Sequence, residues 1–142
     1  MVSAVGDGEN SIGYADASQA GDLGVANVGV GEDFVAPTPE AAAAILDASP
    51  AAEGASDTAL IFDLDHNTTE AGTYPIVLTS YLIACPTYAG DEAAAGALVK
   101  GYLAYIVSDE GQQFGAEEAG SAPLSDTLQP QAQAAVEGIT TE

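Results

Sequence analysis

The sequence predicts an α/β chain, on three observations. Branched and aromatic residues concentrate in short runs bounded by Gly, Asp and Pro, most strongly from Tyr74 to Cys85. Helix-start signals stand at Thr38-Pro39-Glu40, Asp91, Ser108 and Pro130. The two kinds of segment alternate along the chain, which is the α/β pattern.

In order, Asn10–Ala15 reads as a short strand leaving the Gly6-Asp7-Gly8 turn, and Gly24–Val30 as another, closed by a Gly-Glu-Asp turn at 31–33. Thr38 is the expected N-cap of a helix with Pro39 at its first position and Glu40 facing its dipole; it stops before Ser49-Pro50. Residues 50–58 read as loop and Leu60–Asp63 as a strand. Tyr74–Cys85 is the strongest β signal, long enough to serve two structural regions. After a turn at 88–91 with Asp91 as N-cap, a helix over 92–107 places Leu98, Tyr102, Tyr105 and Ile106 at helical spacing, with Leu103 on a flank. A further helix runs from Ser108 to Glu118, with Gly120 as its C′ residue. The last helix covers Pro130–Glu137, and the tail 140–142 should fray.

The chain has 142 residues, 22 Asp+Glu and one basic residue, Lys100, for a formal charge of −21. With no Arg and one Lys it cannot neutralise several phosphates of a nucleic acid, nor form a polybasic membrane anchor or an Arg clamp on an oxyanion. The charge does not imply disorder, because 47% of the residues are hydrophobic and only 16% charged. Sixteen Gly, no Trp and three Phe predict a thin, closely interdigitated core.

Candidate chemistry is sparse. Asp63-x-Asp65-His66-x-Thr68 combines two carboxylates and an imidazole, which invites a divalent cation or a carboxylate-oriented histidine. An Asx-rich turn is the favoured reading, since the calcium-loop Gly and Glu are missing at the sixth and twelfth positions. Gly6-x-Gly8-x4-Gly13 and Gly24-x4-Gly29-x-Gly31 match neither nucleotide fingerprint, so they read as turns. The single histidine has no G-x-S-x-G partner. Cys85, the only cysteine, is expected to be a small buried hydrophobe. Tyr81, Tyr88, Tyr102 and Tyr105 are expected in the core. No enzyme, cofactor or metal reading is favoured. Met1–Gly6 has neither the basic nor the apolar region of a signal peptide, and the apolar run Pro75–Pro86 is too short to span a bilayer.

Six stretches, in order, resemble the C-terminal part of the phosphate-binding protein (PstS-like, actinobacterial type) of phosphate ABC transporters. Asn10-Ser11-Ile12-Gly13-Tyr14 is similar to the family's G-S-I-G-Y segment. Val35-Ala36-Pro37-Thr38-Pro39-Glu40 is similar to its V-x-P-T/S-x-E helix start. Tyr74-Pro75-Ile76 is similar to the W/Y-P-I/L start of its return strand. Leu98–Tyr105, Gly111–Phe114 and Ser121-Ala122-Pro123-Leu124-Ser125 complete the series. The resemblance implies a partial type II periplasmic-binding-protein fold, with pieces of both lobes joined by a hinge strand. Residues 1–75 would belong to the second lobe and 76–142 to the returning part of the first. It implies hinge positions at Thr73, Tyr74, Pro75, Ile76, Thr79 and Ser80.

The family's phosphate ligands lie in its N-terminal half, including an R-S-D-G-S-G-T segment, and nothing here matches them. Inorganic phosphate would therefore be a partner only together with that half. The transporter permease would be a second partner, and self-association through an incomplete core a third. The resemblance places the parent protein outside the cytoplasmic membrane, at the cell surface or as an anchored lipoprotein. The alternative function is an independent self-associating module that binds no ligand.

Overall fold

Local capping chemistry fixes the helices. In the computed structural model, which describes residues 1–56 and 58–141, the chain is a mixed α/β protein with two small sheets. Its elements are α1 (Val2–Asp7), β1 (Val28–Val30), β2 (Asp33–Val35), α2 (Pro39–Ala48), β3 (Thr87–Tyr88), α3 (Ala93–Ile106), α4 (Asp109–Ala119), α5 (Leu128–Glu137) and β4 (Thr140–Thr141). At the start of α2, Thr38 Oγ1 accepts the Ala41 N–H at 3.2 Å. Ser108 Oγ does the same for Gly111 at 3.1 Å, and Gly120 ends α4 with φ +66°, the left-handed cap that glycine adopts without strain. α5 starts two residues before Pro130, because the Ser125 carbonyl and hydroxyl oxygens take up the Leu128 N–H and the carbonyl also takes that of Gln129. Pro130 then sits in a first turn, where its missing N–H costs nothing.

Several expectations are corrected. Asp91 lies inside a 3₁₀ turn, Gly90–Glu92, rather than capping the next helix. On α3 the face carrying Leu98, Tyr102 and Tyr105 is exposed, and Gly96, Val99 and Leu103 face inward. Both faces of this helix are apolar, so periodicity could not separate them. Gly96 decides the matter, since the absence of a side chain there lets Tyr88 close onto the helix backbone.

The expected strands shrink for want of partners. Only Val28–Val30 of the 24–30 segment pairs, in an antiparallel hairpin with Asp33–Val35 around Gly31 at φ +60°. Among the described residues Asn10–Ala15 joins no sheet, and it follows a helix, α1, that no start signal marks. Leu60–Asp63 contributes one bridge, Phe62 with Ala51. Tyr74–Cys85 is no strand here, because among the described residues its backbone forms no ladder with another segment. Conversely, Thr140–Thr141 does not fray but pairs in parallel with Thr87–Tyr88, the Thr140 N–H donating to Pro86 O at 3.0 Å. Glu142, in the expected fraying tail, and Asp57, in the expected 50–58 loop, lie outside the described residues.

One core unites Leu103, Val107, Val136 and Ile139, flanked by Ala84, Tyr88, Val99 and Ala132. Earlier in the chain Val30, Ala41, Ile45 and Thr73 are buried. Lys100 ties α3 to the end of α5, its Nζ donating to Glu137 O at 2.8 Å and Ile139 O at 2.7 Å. A cation at a helix C-terminus complements the dipole and satisfies orphan carbonyls. Lys100→Met keeps the apolar stem and removes both bonds, so we expect about 1–2 kcal/mol lower stability in urea unfolding. An unchanged midpoint would show that these bonds contribute nothing.

Candidate functional site

The six positions expected to form a hinge fall into two groups. Thr73, Tyr74 and Pro75 are anchored. Thr73 is 2% exposed, and its hydroxyl donates to Glu70 O at 2.8 Å, just after Gly72 at φ +84°. The Tyr74 N–H donates to Ala41 O at 2.9 Å, docking the segment on α2. Pro75 is buried, and its carbonyl lies 2.9 Å from His66 Nδ1, which fits an Nδ1–H donor. Ile76, Thr79 and Ser80 lie beyond these anchors, on backbone with no hydrogen bond in the chain. Among the described residues no backbone N–H or C=O from 76 to 84 has a protein partner. Thr79 Oγ1 is shielded from water and has no partner either.

Burial raises the Tyr74 phenol above its ordinary 10.0, and the neighbouring Tyr14 phenol adds to the shift. The folded chain therefore holds this proton after the unfolded chain has lost it. That contribution is intact below about pH 10 and declines as pH rises past it. Between pH 8 and 10.5, urea midpoints should shift in favour of Tyr74→Phe relative to the parent chain. A difference independent of pH contradicts this.

Asp63, Asp65 and His66 are brought together as a turn. Asp65 Oδ1 accepts the Asn67 N–H at 3.0 Å, an Asx turn. The Asp65 N–H donates to Ser49 Oγ at 3.2 Å, and that hydroxyl donates to Ile45 O at 2.6 Å. Ser49 is a hub whose one sequence signal is its position at a helix end before Pro50. Among the described residues no group of three metal-ligating side chains converges.

Two expectations about single residues are corrected. Cys85 is exposed, not buried, just past the unbonded segment 76–84. Of the four tyrosines expected inside, only Tyr88 packs on the core, while Tyr81, Tyr102 and Tyr105 are exposed.

The electrostatics disfavour an anion at the starts of α2, α3 and α4, while the first turn of α5 carries no acid. Glu40 occupies the first turn of α2, Asp109 and Glu110 that of α4, and Asp91 with Glu92 the turn before α3. A shallow hollow lined by Ala44, Asp47, Ala48, Glu70, Ala71 and Thr73 presents two carboxylates, and a second, beside Val107 and Val136, presents Glu137. Neither offers an oxyanion a positive group. No described helix is long and apolar enough to cross a membrane.

No curated protein and no solved structure matches the chain. A family model described as a PBP superfamily domain matches residues 1–110, from α1 through the unpaired segment and α3 to the first turn of α4. With well over half of its length matched, the chain belongs to the periplasmic-binding-protein-like (PBP) superfamily, a solute-binding and generally non-enzymatic family.

Proposed function

We propose that the chain is the C-terminal portion of an extracytoplasmic solute-binding protein that captures inorganic phosphate for import by an ABC transporter. The observation that carries the phosphate reading is the ordered series of PstS-like segments from Asn10 to Ser125, within a chain of the PBP superfamily. In this reading the ion is gripped by groups outside residues 1–142. The absence of Arg and the carboxylates at the starts of α2 and α4 support that division. Buried oxyanions are held by local N–H groups and helix starts free of acid, while a −21 surface acts through a field screened within about 8–10 Å.

Residues 1–75 are assigned to the second lobe and 76–142 to the first, in a partial type II fold. The anchored Thr73–Pro75 and the unbonded Ile76–Ser80 then form the hinge, where a short stretch absorbs the backbone rotation of closure. The parent protein would work at the cell surface or on a lipid anchor and deliver phosphate to the permease.

The coding sequence upstream of Met1 tests this. An in-frame lipoprotein signal followed by an R-S-D-G-S-G-T segment is expected. An upstream frame that encodes neither would overturn the assignment.

A further inference from the structure

We propose that Asn67 is an acceptor for N-linked oligosaccharide, modified on the folded chain by a transferase of the bacterial type. This rests on the extracytoplasmic placement in the reading above, because such acceptors belong to surface loops of exported proteins.

The first ground is the sequence pattern. The chain has three asparagines, and only Asn67-Thr68-Thr69 sets a hydroxyl two residues on with no proline between. At that place Asn10 has Ile12 and Asn27 has Gly29, so neither is an acceptor. Asp65 adds a carboxylate two residues ahead of Asn67, the further feature that bacterial transferases demand. The acid that joins no metal-ligating group thereby acquires a role.

The second ground is presentation. Residues 66–67 form a turn, and Asp65, Asn67 and Thr69 are all exposed. Among the described residues neither the Asn67 carboxamide nor the Thr69 hydroxyl has a hydrogen bond, so neither must be drawn away from a partner. Other groups hold the turn. The Asp65 N–H donates to Ser49 Oγ, the Thr68 N–H to Asp65 O at 3.1 Å, and the Glu70 N–H to Thr68 Oγ1 at 3.1 Å. Of the two adjacent threonines, Thr68 is therefore engaged with the backbone, and Thr69, at the required spacing, is free. Among the described residues no strand ladder crosses 63–71, so this backbone can enter an enzyme cleft without dismantling a sheet.

The chemistry explains why both side chains must be open. An amide nitrogen is a weak nucleophile, because its lone pair is shared with the carbonyl. The enzyme must hold the carboxamide twisted, and the hydroxyl two residues on keeps the segment in register while it does so. Asn67 Nδ2 then forms a bond to C1 of the first sugar of a polyprenyl-pyrophosphate oligosaccharide. The C1–O bond to the pyrophosphate breaks, the pyrophosphate leaves with the electron pair, and one Nδ2 proton passes to a carboxylate of the enzyme. Nothing is oxidised or reduced.

The purified 142-residue chain, incubated with a bacterial single-subunit oligosaccharyltransferase and a polyprenyl-pyrophosphate oligosaccharide, tests the proposal by intact mass. A single glycan on Asn67 is expected, under conditions that glycosylate a control peptide with the same five residues, 65–69. Asn67→Gln and Thr69→Ala should abolish it, and Thr69→Ser should keep it. Asp65→Asn retains an oxygen to accept the Asn67 N–H and loses the charge, so the glycan should be lost; Asp65→Glu should keep it. A carboxylate that serves only the turn would give the reverse. A folded chain left unmodified, a glycan on Asn10 or Asn27, or transfer that survives Thr69→Ala would overturn the proposal. Because enzyme and donor are supplied, none of these outcomes bears on where phosphate is held or where the parent protein works.

Discussion

Ile45→Ala is expected to lower the unfolding free energy by about 3–4 kcal/mol, within the range for a large side chain removed from a closed core site. Ile45 is 0% exposed, the most buried large side chain among the described residues. It lies one turn along α2 from buried Ala41. Its carbonyl receives the Ser49 hydroxyl, and that hydroxyl in turn holds the Asp65 turn beside Pro75. A cavity at Ile45 would thus loosen both the helix and the anchor of the Thr73–Pro75 segment. With total stabilities of small domains near 5–15 kcal/mol, the variant should unfold at markedly lower urea. A loss below about 1 kcal/mol would mean that this half of the chain has no packed core of its own.

The second large effect is a pair of identical substitutions with opposite signs. Gly96→Ala should cost about 1–3 kcal/mol, because its new methyl would strike Cβ and Cγ of Tyr88. Tyr88 cannot withdraw, since it is paired with Thr141 and its hydroxyl accepts the Cys85 N–H at 3.1 Å. Gly101→Ala, on the same helix, meets nothing within 4 Å and should stabilise by about 0.5–1 kcal/mol through helix propensity. Thermal or urea unfolding of both variants decides it. If Gly96→Ala stabilises as well, the close approach of Tyr88 to α3 is not real.

What could be read from the residues was what they decide locally. Thr38, Ser108 and Gly120 cap helices through bonds to their own neighbours, so α2 and α4 were legible nearly to the residue. Strands depend on a distant partner. The Tyr74–Cys85 run has the composition of a strand buried on both faces, yet among the described residues no strand pairs with it. For the same reason its Cys85 and Tyr81 are exposed rather than buried. The inward face of α3 was misread because both of its faces are apolar. The residue that decides its orientation, Gly96, has no side chain to betray it. Lys100, the single base, was visible as such, but its grip on the end of α5 depends on two backbone oxygens 37 and 39 residues away. In the candidate site, the Asp65 turn follows from local Asx chemistry, whereas the role of Ser49 depends on a bond 16 residues away.

Whether the phosphate-gripping atoms lie outside residues 1–142 is open to direct measurement by titration calorimetry with inorganic phosphate. The full-length parent protein should bind with saturable heat, and the 142-residue chain alone should show none up to millimolar phosphate. Saturable micromolar binding by the chain alone, or a parent protein that fails to bind, would contradict the account.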